Sequence, residues 1–168
     1  VTNKGDSFYV TNTTATINLE NNTFVNNDST GNFLRIQKDS WGNSGSNGGT
    51  VTLNLTNQKV EGNVVVDSIS TLTMNLKNGS SFKGSINNAN EGEVNLVLDK
   101  SSSITLTGDT YVKSLTNADS TNSNINLNGH TLYVNGNAIT STNYKGAATV
   151  TEQSTNTTNN ENTTQENS

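Results

Sequence analysis

Val51-Thr52-Leu53-Asn54-Leu55, Leu72-Thr73-Met74-Asn75-Leu76 and Val94-Asn95-Leu96-Val97-Leu98 are three versions of one five-residue strand. Each alternates apolar and polar side chains, the period-2 signature of a half-buried strand. Leu53 and Met74 are 21 residues apart, and Met74 and Leu96 are 22 apart. A second apolar-x-Gly mark follows each strand: Val60-Glu61-Gly62, Phe82-Lys83-Gly84, Leu106-Thr107-Gly108. A fixed spacing near 22 built only of strands predicts a β-solenoid. A stacked antiparallel sandwich is the second choice, since several short strands with turn signals also suit that class.

On the amino-terminal side, Ala15-Thr16-Ile17-Asn18-Leu19 repeats the strand motif, and Phe8-Tyr9-Val10 reads as the end of an earlier coil. Ile17 precedes Leu53 by 36 residues, so this coil carries extra length. The excess lies in a loop from Asp39 to Gly49, rich in Gly, Ser and Asn, which holds Trp41, the single Trp of the chain. On the carboxy-terminal side, Tyr111-Val112 and Leu115 continue the apolar pattern. Ile125-Asn126-Leu127, then Asn128-Gly129, then Leu132-Tyr133-Val134 reads as a hairpin, because Asn-Gly between alternating runs favours a tight two-residue turn. It is expected to close the open end of the stack. From Thr151 to Ser168 only Thr, Glu, Gln, Ser and Asn occur, a composition that cannot offset the entropy of ordering. The expected division is a solenoid over 1–140, cut short at its amino-terminal side, and a disordered tail over 141–168. The chain opens at Val1 without Met and is read as a piece of something longer.

Composition narrows the classes further. Only 29% of residues are hydrophobic and 32 are Asn, so the core has to be narrow and regular. A net charge of −5 offers no basic footprint for nucleic acid and no attraction to anionic membranes. No apolar run approaches the ~20 residues of a membrane-spanning helix. With no Cys, disulfide and thiolate chemistry are excluded.

Repetition at rung spacing, ~4.8 Å, stacks like on like. Inward, Val51, Leu53, Leu55 and their equivalents form the core, each burial contributing roughly 1.5–3 kcal/mol before entropy. Outward, Thr52 is expected to stack with Thr73 and Asn95, and Asn54 with Asn75. Asn side chains can hydrogen-bond along such a ladder, whereas a repeated charge would repel itself.

Several stretches share an order and wording beyond the repeat. They are Phe33-Leu34-Arg35-Ile36-Gln37-Lys38-Asp39-Ser40-Trp41-Gly42 with Ser44 to Gly49, Gly62 to Leu72, Asn78 to Gly84, Thr105 to Val112, and Asn128 to Gly136. Over residues 10 to 140 the chain resembles the carboxy-terminal part of a family of secreted clostridial carbohydrate-binding proteins. The resemblance implies a right-handed parallel β-helix, here of five or six coils. It also implies a non-catalytic, extracellular or cell-surface module that binds plant cell-wall polysaccharide such as cellulose or pectic acid. Some members bind calcium through Asp-rich coils, but this chain has no Asp-rich run, so no calcium ligand is carried over and no cofactor is assigned. A monomer, or part of a longer chain, is expected. The competing reading is a structural stalk or adhesin segment without glycan affinity.

The residues expected to contact a glycan are Trp41, Asp39 and Asn43 on the long loop, with Tyr111 and Tyr133 extending the aromatic surface. Carboxylates are scattered, and glycoside hydrolysis needs two of them ~5–9.5 Å apart across a groove. Glu61 with Asp109 is one conceivable pair across rungs. Calcium wants six to eight converging oxygens, for which Asp39 with loop carbonyls or Glu91 with Glu93 are the best local sets. His130 stands alone beside a turn, and Arg35 is the single Arg. Catalytic and metal-binding residues are therefore both assigned as none. The Thr-x-Thr array of an ice-binding face breaks at Asn95 and Val97.

Overall fold

The computed structural model describes residues 5–28, 31–40 and 42–139. Among them every regular element is a strand. The alternation around Leu53 gives one long-strand sheet. Its members are Thr13–Glu20, Gly49–Thr56, Thr71–Lys77, Glu93–Leu98 and Ser114–Asn117, neighbours in that order and all parallel. A second parallel sheet takes Thr23–Val25, Lys59–Glu61, Ser81–Gly84, Ser103–Leu106 and Ile125–Asn126. A third takes Phe8–Val10, Leu34–Ile36 and Val64–Val66. An isolated parallel bridge, Val64 to Ile86, carries this third face onward. The Tyr111 N–H then donates to Ile86 O at 3.2 Å, leading into Thr110–Val112 and Leu132–Val134. The chain visits the three faces in one repeating cyclic order, an all-β arrangement compatible with a β-solenoid. The parallel pairing rules out an antiparallel sandwich.

The register is the one the spacing predicts. Leu53 pairs with both Ile17 and Met74, and Met74 pairs with Leu96. Thr52 stacks with Thr73, and Thr73 with Asn95. Inward-facing Leu53, Leu55, Leu72, Met74, Leu76 and Leu96 are fully buried in one continuous core. Outward, the Asn75 amide donates to Asn54 and the Asn54 amide donates to Asn18, each at 2.9 Å. The turns after these strands use Asn21, Asn57 and Asn78 at φ of 58°, 48° and 55°. Asn takes this left-handed conformation at lower cost than other non-glycine residues.

One expectation is corrected. Ile125–Asn126 does not fold back on Leu132–Val134; it adds parallel to Ile104 and Thr105. The antiparallel hairpin comes one turn later, where Leu132–Val134 pairs with Asn137–Ile139 across Asn135-Gly136. Both Asn-Gly pairs have the same positive-φ shape, 52° and 81° at 128–129 and 49° and 81° at 135–136. The turn does not choose between them. Ile125 is instead paired with the open edge of Ser103–Leu106. The expected tail, 141–168, lies outside the described residues.

Where the coils touch, backbone meets backbone. A Cβ built at Gly84 would land on the Gly62 carbonyl oxygen. Gly84→Ala is therefore expected to destabilise the protein by about 1–3 kcal/mol, the usual cost of overpacking. Met74→Ala removes a fully buried side chain and is expected to cost about 2–5 kcal/mol. Urea unfolding midpoints compared with those of the parent chain check both; an unchanged midpoint for Gly84→Ala contradicts the close approach.

Candidate binding groove

The third face is built from triads whose central residue points outward. Tyr9, Arg35 and Val65 occupy this position on three successive strands and pair with one another in register. Tyr111 and Tyr133 occupy it on the last two. Between the two groups the pattern breaks at Asn87, which follows the bridge residue Ile86. Asn87 sits at φ 55° and its side chain is buried. The amide nitrogen donates to Gly92 O at 3.0 Å and Tyr111 O at 3.1 Å, while Oδ1 accepts from the Glu91 and Gly92 N–H groups, each at 3.1 Å. One rung of this face therefore has no outward side chain.

A groove occupies the gap. A depression of about 440 Å³ is lined by Asn90, Glu91, Glu93, Tyr111 and Lys113, with Asn87 at its inner edge. One of about 250 Å³ lies over Asn63, Val65 and Asn88, and shares Asn87 with the first. A third, of about 210 Å³, reaches Asp28, Glu61 and Lys83 and shares Asn63 with the second. They run end to end, from residues entering the third sheet to residues leaving it. Each depression is bounded by residues of three or four successive rungs, in the first from Ser68 through Glu91 and Lys113 to Asn135. The floor of the groove is amide and valine, and its ends carry charges of both signs. Lys113 holds Glu93 at 3.3 Å, and Lys59 holds Glu61 at 3.5 Å, exposed pairs of small energetic weight. Glu91 and Glu93 come from one short segment, not from facing walls. Among the described residues, no group of three His, Cys, Asp or Glu could hold a metal ion.

The residues expected to contact a glycan fall into two separate places. Tyr111 and Tyr133 stack on each other, ring centroids 4.4 Å apart and planes 4° from parallel, and Tyr111 lines the groove. Burial, then the neighbouring Tyr133 and Asp109, push the Tyr111 phenol above its usual range. Asp39 lies rungs away, where its carboxylate accepts from the Ser40 N–H at 2.7 Å and from the Tyr9 hydroxyl at 2.9 Å. Those two bonds, the backbone one first, hold Asp39 below the ordinary 3.8. Asn43 is exposed in the following turn, its carbonyl accepting from Ser46 N–H at 2.9 Å. Trp41 lies outside the described residues.

Sequence reasoning passed over Tyr9, 44% exposed, and Arg35. The Arg35 guanidinium lies 5.4 Å from the Tyr9 ring centroid and meets Asp6 at 2.7 Å. A readable signal existed: Phe8-Tyr9-Val10, Leu34-Arg35-Ile36 and Leu132-Tyr133-Val134 share one apolar-x-apolar frame, so their middle residues belong to one column. Comparisons of the chain with known protein families, curated proteins and solved structures find no match.

A depressed carboxylate stabilises the folded state above its ordinary pKa, and that contribution is lost as pH falls through the lower folded value. Tyr9→Phe removes one of the two donors, so the Asp39 titration is expected to move up toward 3.8 without reaching it. Carboxyl carbon shifts followed by NMR through the acid range check this. An unmoved titration would mean that the phenol is not a donor in solution.

Proposed function

We propose that the chain is a non-catalytic, extracellular polysaccharide-binding module built on a right-handed parallel β-helix, with plant cell-wall polysaccharide of the cellulose or pectin type as its ligand. The observation that carries the reading is the row of adjoining depressions, lined by Asn side chains and with Tyr111 among the lining residues. Sugar hydroxyls need donors and acceptors at close spacing, which amides supply together. The apolar face of a pyranose needs an aromatic ring, and such mixed apolar and polar lining is typical of small-molecule sites. The right-handed sense follows from the rule for crossovers between parallel strands of one sheet, which are right-handed in about 98% of cases. The likeness to secreted clostridial carbohydrate-binding proteins, quoted above on its own stretches of sequence, supports both the ligand class and the placement outside the cell. Glu91 and Glu93 fit non-catalytic duty, since both rise from one segment and Glu93 is engaged by Lys113.

A structural stalk or adhesin segment is the alternative. It accounts for the ladder and leaves the groove without a purpose. Affinity electrophoresis of the chain through gels containing soluble cell-wall polysaccharides separates the two readings. Retardation is expected with at least one polysaccharide, and Tyr111→Ala is expected to weaken it about tenfold, equivalent to about 1.4 kcal/mol. Unretarded migration in every gel favours the stalk.

A further inference from the structure

We infer that the groove takes single, hydrated polysaccharide chains, and not the flat face of a crystalline polymer; this rests on the polysaccharide reading above and specifies the form of ligand. The argument turns on which way the tyrosine rings face. Tyr111 and Tyr133 are register partners on adjacent parallel strands, and their rings are stacked at 4.4 Å and 4°. Two rings so close and so nearly parallel, one rung apart, stand upright on the sheet like plates in a rack. Each covers one face of the other, and their edges point to solvent. A crystalline surface is a plane of sugar rings, and gripping it requires several aromatic faces lying flat in one plane. This pair offers none in that orientation. Tyr9, the other described tyrosine of the column, has the Arg35 guanidinium over its ring and its hydroxyl committed to Asp39.

One aromatic face is left over. Tyr133 covers Tyr111 from the following rung, so the other face of Tyr111 turns toward the preceding rung. That rung belongs to Asn87, whose side chain is buried, and Asn87 and Tyr111 both line the depression of about 440 Å³. A pyranose standing on edge in the groove meets Tyr111 face to face. Asn90, Lys113 and Glu93 line the same depression and offer partners to the sugar's equatorial hydroxyls. Only a chain separated from its neighbours can enter edge-on, because in a crystal both ring faces and edges are packed against other chains.

The test uses the full chain against microcrystalline cellulose, amorphous regenerated cellulose, and soluble β-glucan and polygalacturonate chains. Retention on the amorphous form, displaced by at least one of the soluble chains, is expected, with crystalline material retaining at least tenfold less per unit accessible surface. Tyr111→Ala is expected to weaken soluble-chain binding about tenfold, and Tyr133→Ala clearly less, because Tyr133 backs the ring without facing the sugar. Crystalline retention that soluble chains fail to displace, or equal losses from the two variants, overturns the edge-on groove while leaving polysaccharide binding intact. Binding to none of the four removes the polysaccharide reading, and this inference with it.

Discussion

Parallel strands held in register one repeat apart set the terms for every other residue. Each position along the chain faces a register partner on the rung above and below, often a residue of its own kind, so a side chain has to suit those two neighbours. Leu53, Met74 and Leu96 meet that demand by burial. Asn meets it on the outside because an amide both donates and accepts, so Asn18, Asn54 and Asn75 form a chain of like bonds. A carboxylate or ammonium in the same column would face its own charge at about 4.8 Å. The scarcity of charge and the abundance of Asn are two sides of one constraint.

The candidate site arises where that constraint is broken. The outward column of the third face runs Tyr9, Arg35, Val65 and resumes at Tyr111 and Tyr133. Asn87 interrupts it by turning its amide inward to tie the loop at Glu91 and Gly92 to the strand bearing Tyr111. That one inward turn removes a side chain from the surface and frees one face of Tyr111. It also fixes the floor of the groove with four hydrogen bonds, so the cleft is firm although it has no walls of its own. Here a stack of parallel strands makes a concave site by omission.

The strand register was legible from sequence because it depends on spacing alone, and spacing survives in the letters. The Asn ladder was legible for the same reason. The hairpin was misplaced because Asn128-Gly129 and Asn135-Gly136 share one local conformation, and only the availability of a neighbouring edge distinguishes them. Tyr111 and Tyr133 could be named as aromatic candidates, but not their stacking, which requires knowing that 22 residues make one rung on that face too. The groove was not legible at all. It rests on the side-chain direction of Asn87, one Asn among 32, with nothing in its immediate neighbours to mark it.

The scattered carboxylates acquire a role once their partners are known. Asp99 accepts from the Asn78 N–H at 2.9 Å and from the Ser101 N–H and hydroxyl at 3.0 and 2.8 Å, joining two successive turns. Asp119 gathers the Thr121 N–H and the Thr121 and Ser123 hydroxyls, and Asp67 accepts from the Lys38 and Ile69 N–H groups. For Asp99 and Asp119, burial alone would raise the pKa, yet the hydrogen bonds together outweigh it and hold both below 3.8. In each case a short acid caps main-chain donors that the turn leaves without a strand partner. Asn can do the same, as Asn26 and Asn126 do by accepting from the Asp28 and Asn128 N–H groups, each at 3.0 Å. Asp67, Asp99 and Asp119 thus sit at turns, while the strand carboxylates have register partners of no charge or of opposite sign: Val25 and Lys83 for Glu61, Thr71 for Glu93. These turn acids bond the main chain at the turns as the Asn ladder bonds between the strands.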